Sequence, residues 1–348
     1  MSAVVIREAT SSIGVTLASL SYRIPSRVVS SAELEDRLDL GRGVIERLTG
    51  IRSRRYMDRG ESLQSLAVDA CREAVERSGL DAADIDLMIF YSDSPPVMPE
   101  ASGPRRTYYD MSAHIQHLLK EKGVPLACEC VAIAGSCVSF LLSLQMAAGL
   151  VRSRMKRNVL LVGAAWNSLF LEGTDKNVAM TFADGAAASI LSASPDEDLL
   201  GIYCRTDGQG YAAGGYPDYR SLFVDRKRVA EFAPLAFQSA VAGLLAETGL
   251  KVDEIDVFVP HQAGIRIIER GMALAGIPAD KVYLCLQDVG NTGAPAVQLA
   301  LARAVEEGRI RDGDVVVLAA FGTGWNYGAA ALRYRGRSKP DLLRGTGT

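Results

Sequence analysis

Apolar and polar positions along this chain fall into two alternating kinds of segment, and several of the segments occur twice. Ser78-Gly79-Leu80-Asp81-Ala82-Ala83-Asp84-Ile85-Asp86-Leu87-Met88-Ile89-Phe90 returns as Thr248-Gly249-Leu250-Lys251-Val252-Asp253-Glu254-Ile255-Asp256-Val257-Phe258-Val259-Pro260. Each copy reads as a helix end closed by glycine, a short polar link and a buried strand. A second pair of apolar runs, 158–163 and 314–319, predicts two further strands, each preceded by an amphipathic helix at 138–152 or 294–307. The last strands match too, since Ala183-Asp184-Gly185-Ala186-Ala187-Ala188-Ser189-Ile190-Leu191 is similar to Tyr327-Gly328-Ala329-Ala330-Ala331-Leu332. Echoes of this sort occur in any α/β protein, but three matched elements in one order predict a duplication. Continuous apolar strands alternating with helices predict an α/β fold with mainly parallel sheets covered on both faces. The halves would be 1–194 and 195–335, with 336–348 a disordered tail.

Composition narrows the function classes. At 348 residues, 48% hydrophobic and 23% charged, the chain has the profile of a globular enzyme. A formal net charge of only −3 offers no footprint for nucleic acid or an anionic membrane. No apolar run approaches the length of a membrane span, and residues 1–13, which include Arg7 and Glu8, do not read as a signal peptide, so a cytoplasmic location is expected. Six cysteines in such a chain are expected as reduced thiols. Cys128 and Cys130 lack a second pair at finger-like spacing, so no metal site is expected. His114 and His117 read as solvated residues of a polar helix.

The candidate chemistry lies where strands run into helices. Cys137 begins the helix of the first half and Asn291 precedes that of the second, which makes them pseudo-symmetric positions. On the first turn of a helix, unpaired N–H groups and the dipole favour a thiolate, whereas a lone cysteine is more often a small buried hydrophobe. His261 stands just past the carboxyl end of a predicted strand, the edge at which open α/β sheets place catalytic groups. Three polar candidates at one kind of edge in matched halves point to a shared site.

Cys137-Val138-Ser139-Phe140, Phe182-Ala183-Asp184-Gly185-Ala186, Pro260-His261-Gln262-Ala263, Gly290-Asn291-Thr292 and Ala320-Phe321-Gly322-Thr323-Gly324-Trp325 resemble, in order and spacing, the β-ketoacyl-acyl-carrier-protein synthase III group of the thiolase superfamily. Thr49-Gly50-Ile51-Arg52 agrees with the same group, and the likeness runs from Ile13 to Arg335. It implies a thiolase-like fold of two duplicated mixed-sheet halves layered αβαβα. It implies acyl transfer from coenzyme A or an acyl carrier protein to Cys137, then decarboxylative condensation with a malonyl thioester. His261 and Asn291 would complete the site, the N–H groups of Cys137 and Thr323 would form an oxyanion hole, and Phe321 would wall the pocket. Arg52, Lys176 and Arg266 would meet the coenzyme or carrier. No tightly bound cofactor is implied. The loop 92–116 would cross a homodimer interface, or one with a homologue, and Tyr108, Tyr109 and Met111 would shape the acyl chain.

Departures from the group's pattern include Val44 and Leu48 in place of a Trp and an Arg, Thr323 in place of a Gly, and the length of the 92–116 loop. With Cys-Val-Ser-Phe and Thr-Gly-Trp they are similar to specialised-metabolism branches such as quinolone-signal-forming ketosynthases and ester-forming acyltransferases. The alternatives are an acyltransferase that passes the Cys137-bound group to a hydroxyl or amine with His261 as base, and a silent partner subunit, which would have no need of the thiol.

Overall fold

In the computed structural model, which describes residues 13–95, 97–98, 106–107, 111–217 and 220–336, the strands gather into two main sheets, each drawn from one stretch of sequence. Strands β1 (Gly14–Arg23), β2 (Leu87–Tyr91), β3 (Glu129–Ile133), β4 (Asn158–Trp166) and β5 (Asp184–Ser194) form the first, in the order β1-β5-β4-β2-β3. Strands β6 (Leu199–Thr206), β7 (Val257–Pro260), β8 (Val315–Gly322) and β9 (Asn326–Arg333) form the second, in the order β6-β9-β8-β7.

The pairing repeats. Ile89 of β2 lies parallel to Leu161 of β4, which faces Ser189 of β5 antiparallel. Val259 of β7 lies parallel to Leu318 of β8, which faces Ala330 of β9 antiparallel. Even the edge strand β3 has an echo, a parallel bridge between Phe258 and Val282. The expectation of mainly parallel sheets is corrected: β1–β5, β4–β5, β6–β9 and β8–β9 are antiparallel, because each half ends in strands that fold back rather than cross over a helix.

Six helices pack on these sheets: α1 (Leu63–Ser78), α2 (Met111–Glu121), α3 (Ser139–Arg152), α4 (Arg226–Thr248), α5 (Ile265–Leu274) and α6 (Ala296–Glu306). Alternation along each strand sorts them into layers. Leu87, Ile89 and Tyr91 join Val257, Val259, Val316 and Leu318 in one core around α3 and α6, so these two helices lie between the sheets. The neighbours Met88 and Phe90 face α1 and α2, while Phe258, Val317 and Phe321 face α4 and α5. The result is the layered αβαβα thiolase-like arrangement. Each fully buried aliphatic side chain in these layers contributes about 1.5–3 kcal/mol relative to exposure.

Among the described residues, α4 is the one helix long and apolar enough to cross a membrane. Here Ala233, Phe237, Ala240, Val241 and Leu244 bury it against the second sheet. Within the central layer, Gln298 of α6 accepts from Tyr91 Oη and donates to Ser189 Oγ (2.7 Å) and Leu161 O (3.2 Å), which fixes α6 on the first sheet with polar groups fully paired. Residues 337–348 of the expected tail lie outside the described residues.

Candidate functional site

Two helix-opening turns and two strand ends meet between the halves. Cys137 occupies the single 3-10 turn Ser136–Val138 that precedes α3. Ser139 pins that turn, its Oγ donating to Ser136 O (2.7 Å) and accepting from Gly135 N (2.9 Å), while Ser136 takes a left-handed φ of 53°. A non-glycine residue there stores strain that its surroundings must hold. The end of β8 closes on the turn. A Cβ on Gly322 would come within 3.0 Å of Cys137 N, and Thr323 Oγ1 lies 3.0 Å from Ser136 Oγ.

His261 follows β7 and is anchored by its backbone N–H to Ala319 O at 2.7 Å. Its ring meets Phe321 edge to face, with centroids 5.5 Å apart, and Nδ1 has no hydrogen-bond partner among the described residues. Burial drives its pKa down to about 4, so the imidazole is neutral near pH 7, with one N–H to donate. Asn291 is held by backbone bonds to Thr181 and Ala183. Its Oδ1 accepts Gly293 N–H at 2.9 Å, which leaves the NH₂ as the end of the amide able to donate.

Cys137, His261 and Asn291 line one cavity of ≈390 Å³. Phe321 and Thr323 are on its wall, with Leu48 and Arg266 also lining it. Arg52 and Lys176 are not lining residues: Arg52 pairs with Asp288 at 3.0 Å, and Lys176 with Asp39 at 3.7 Å, both on exposed stems. Met111 is buried in the core around α1, where its sulfur accepts from Gln64 Nε2 at 3.5 Å, and is not a lining residue of this cavity. Tyr108 and Tyr109 lie outside the described residues.

The expected lowering of the Cys137 pKa is corrected. Burial and the carboxylate of Asp93 push the thiol well above its ordinary range, because desolvation and a like charge outweigh one helical turn. Sequence reading missed Asp93 and also Arg226, which lines the cavity at the start of α4. The basic run Arg226-Lys227-Arg228 behind the cap Asp225 was the available signal for the latter. The six cysteines are free thiols, and no cluster of three or more His, Cys, Asp or Glu among the described residues is placed to hold a metal.

Burying a neutral His261 links folding to pH. The unfolded chain takes up this proton first as pH falls below 6.5, so stability drops between about 6.5 and 4 and no further below. From pH 7 to pH 5 the loss assigned to this group is about 2 kcal/mol. Urea unfolding of the protein and of His261→Gln at the two pH values should show that difference shrink in the variant.

Models of the 3-oxoacyl-[acyl-carrier-protein] synthase III family match residues 132–208 and, for its C-terminal part, 245–334. The β-ketoacyl-[acyl-carrier-protein] synthase III of Sphingopyxis alaskensis is 34% identical over 327 residues, covering 89% of this chain and 96% of that one. The 3-oxoacyl-[acyl-carrier-protein] synthase III of Aquifex aeolicus superposes with a TM-score of 0.82 at 26% identity, over 92% of this chain and 100% of that one. The priming β-ketosynthase of the R1128 polyketide pathway does so with a TM-score of 0.82 at 29% identity, over 94% and 98%. With Cys137, His261 and Asn291 on one cavity wall between two repeated sheets, this chain belongs to the β-ketoacyl-[acyl-carrier-protein] synthase III family.

Proposed function

We propose that the protein is a ketosynthase of the initiating type, in which Cys137 takes an acyl group from a coenzyme A or carrier-protein thioester and passes it to the carbanion of a decarboxylating malonyl thioester. The observation that carries this reading is the shared cavity of Cys137, His261 and Asn291, with a neutral imidazole and an amide held NH₂-outward. The Cys137 sulfur attacks the thioester carbonyl, splitting one hard displacement into two. Backbone N–H groups of Cys137 and Thr323, drawn together by the close approach at Gly322, receive the oxyanion. His261 and Asn291 donate to the malonyl thioester oxygen as the enolate develops, and Phe321 gives the departing carboxylate an apolar wall. An imidazole with a pKa of about 4 is a poor base for a hydroxyl or amine, which argues against simple acyl relay.

Leu48, Arg226 and Arg266 line the same cavity and supply apolar and cationic contacts for a pantetheine arm and the acidic carrier or phosphates behind it. A homodimer through the edge strand β3, which exposes Val131, fits the same reading. Charge reversal at both arginines should raise KM for a carrier-bound donor about tenfold at low salt and less at high salt, since such contacts are screened. Steady-state kinetics at two ionic strengths checks this.

The reaction itself is tested with malonyl thioester labelled in its free carboxyl group, added to acylated protein. Labelled carbon dioxide and a β-ketoacyl thioester in equal amounts are expected. Retained label, with the acyl group moved to an oxygen or nitrogen acceptor, would replace this reading by acyl transfer.

A further inference from the structure

Behind Cys137 a second chamber of ≈240 Å³ opens, lined by Ser92, Asp93, Ser136, Tyr216 and Leu222 and sharing Cys137 and Thr323 with the main cavity. Asp93 sits just past the end of β2. Its Oδ2 accepts from Cys137 Sγ at 3.7 Å and from Ala294 N at 2.9 Å. The turn after Asn291 is cut to fit it: Gly293 has φ 72°, and a Cβ there would fall 2.0 Å from Oδ2. The other oxygen, Oδ1, is sealed from solvent with no hydrogen-bond partner among the described residues. A carboxylate so placed is an unusual neighbour for a nucleophile, because its charge opposes a thiolate beside it.

We propose that Asp93 is a further catalytic residue, the proton acceptor for the Cys137 thiol during acylation, a role that rests on Cys137 being the acyl-carrying nucleophile. As the Sγ–C bond forms, the thiol proton passes to Asp93 Oδ2. When the tetrahedral adduct collapses, the bond from carbon to the donor sulfur breaks and that sulfur leaves with the proton from Asp93. The later condensation returns Cys137 as a thiolate, which regains its proton from solvent. Above pH 7 the pair thus carries one proton and one negative charge at rest.

The surroundings suit proton sharing. Among the described residues no Lys, Arg or His lines the chamber, and the titratable groups there that face Asp93 are the Cys137 thiol, from the turn before α3, and the Tyr216 phenol, which donates to Asn167 Oδ1 at 3.3 Å. Burial raises the Asp93 pKa to about 7 and that of Cys137 well above its usual range, so above pH 7 the proton rests on sulfur with an ionised carboxylate beside it.

The test is single-turnover acylation with octanoyl-N-acetylcysteamine from pH 5.5 to 9, followed by intact mass, in the wild type, Asp93→Asn and Cys137→Ala. The wild-type rate should rise with pH through a limb near 7. Asp93→Asn should be slower by about 10²-fold at pH 7, with its limb displaced upward toward the thiol's own range. Complete alkylation of the variant by iodoacetamide at pH 9 would show the thiol in place, and Asp93→Glu should recover part of the rate. An Asp93→Asn rate equal to or above wild type, with an unchanged profile, overturns the proposal and leaves Asp93 a spectator. Acylation and alkylation falling together also overturn it, assigning Asp93 to holding the turn. No adduct on wild type overturns the nucleophile assignment itself, a result distinct from the other two.

Discussion

Replacing Asn291 by Ala should lower condensing turnover by about 10²–10³-fold while leaving acylation of Cys137 within a few-fold of wild type, as expected for a donor aimed at charge that develops only in the second step. Among the described residues the side chain makes one structural bond, from Gly293 N to Oδ1, so the variant should lose only about 1 kcal/mol of stability. Measuring both half-reactions separates the two effects: burst acylation reports the first step, and carbon dioxide release from malonyl thioester reports the second. Equal losses in both would place Asn291 in the architecture of the turn rather than at the enolate. The amide orientation matters here, because Oδ1 is occupied and only the NH₂ can serve the substrate.

The largest expected loss of stability is at Arg54. Its guanidinium is completely buried, with Nη1 donating to Met180 O and Nη2 to Ser31 Oγ, both at 2.8 Å. Glu35, also buried, accepts Gly43 and Ile45 N–H at 2.9 Å and is held below its usual carboxylate range despite desolvation, with the positive charge of Arg54 among the causes. Arg54→Met keeps the apolar stem but leaves Met180 O and Ser31 Oγ buried without these donors, which costs about 1–3 kcal/mol for each. Chemical denaturation reads this directly. Because Met180 and Thr181 line the cavity and Thr181 O holds Asn291 N, the same variant should weaken condensation through a loosened Asn291 turn.

Much of this was legible in the chain. The continuous apolar runs Leu87–Tyr91 and Val257–Pro260 mark strands with both faces apolar, and both faces are indeed covered by helices. His261 and Asn291 were readable because each stands at a strand or helix edge, in a segment matched to the other half or to the family's motifs. Arg52, legible as part of Thr-Gly-Ile-Arg, stands just before the strand Ser53–Tyr56 in an exposed ion pair with Asp288, while Arg54 and Tyr56 of that strand turn inward.

Asp93 was illegible for a different reason. Ser92-Asp93-Ser94-Pro95 has the composition of an ordinary turn. Its contact with Cys137 spans 44 residues, and its contact with Ala294 spans 201. Neither follows from local pattern, since both arise where the end of β2 meets the openings of α3 and α6. The acidity of Cys137 was misjudged on the same ground: helix position can be read from sequence, whereas burial beside a distant carboxylate cannot.

The most direct measurement is the intact mass of the protein after exposure to acyl thioesters of graded length. One acyl group should appear on wild type, map to Cys137, be absent from Cys137→Ala and disappear when malonyl thioester is added. An adduct that persists in Cys137→Ala, or none with any donor, would contradict the assignment of this sulfur as the centre of the chemistry.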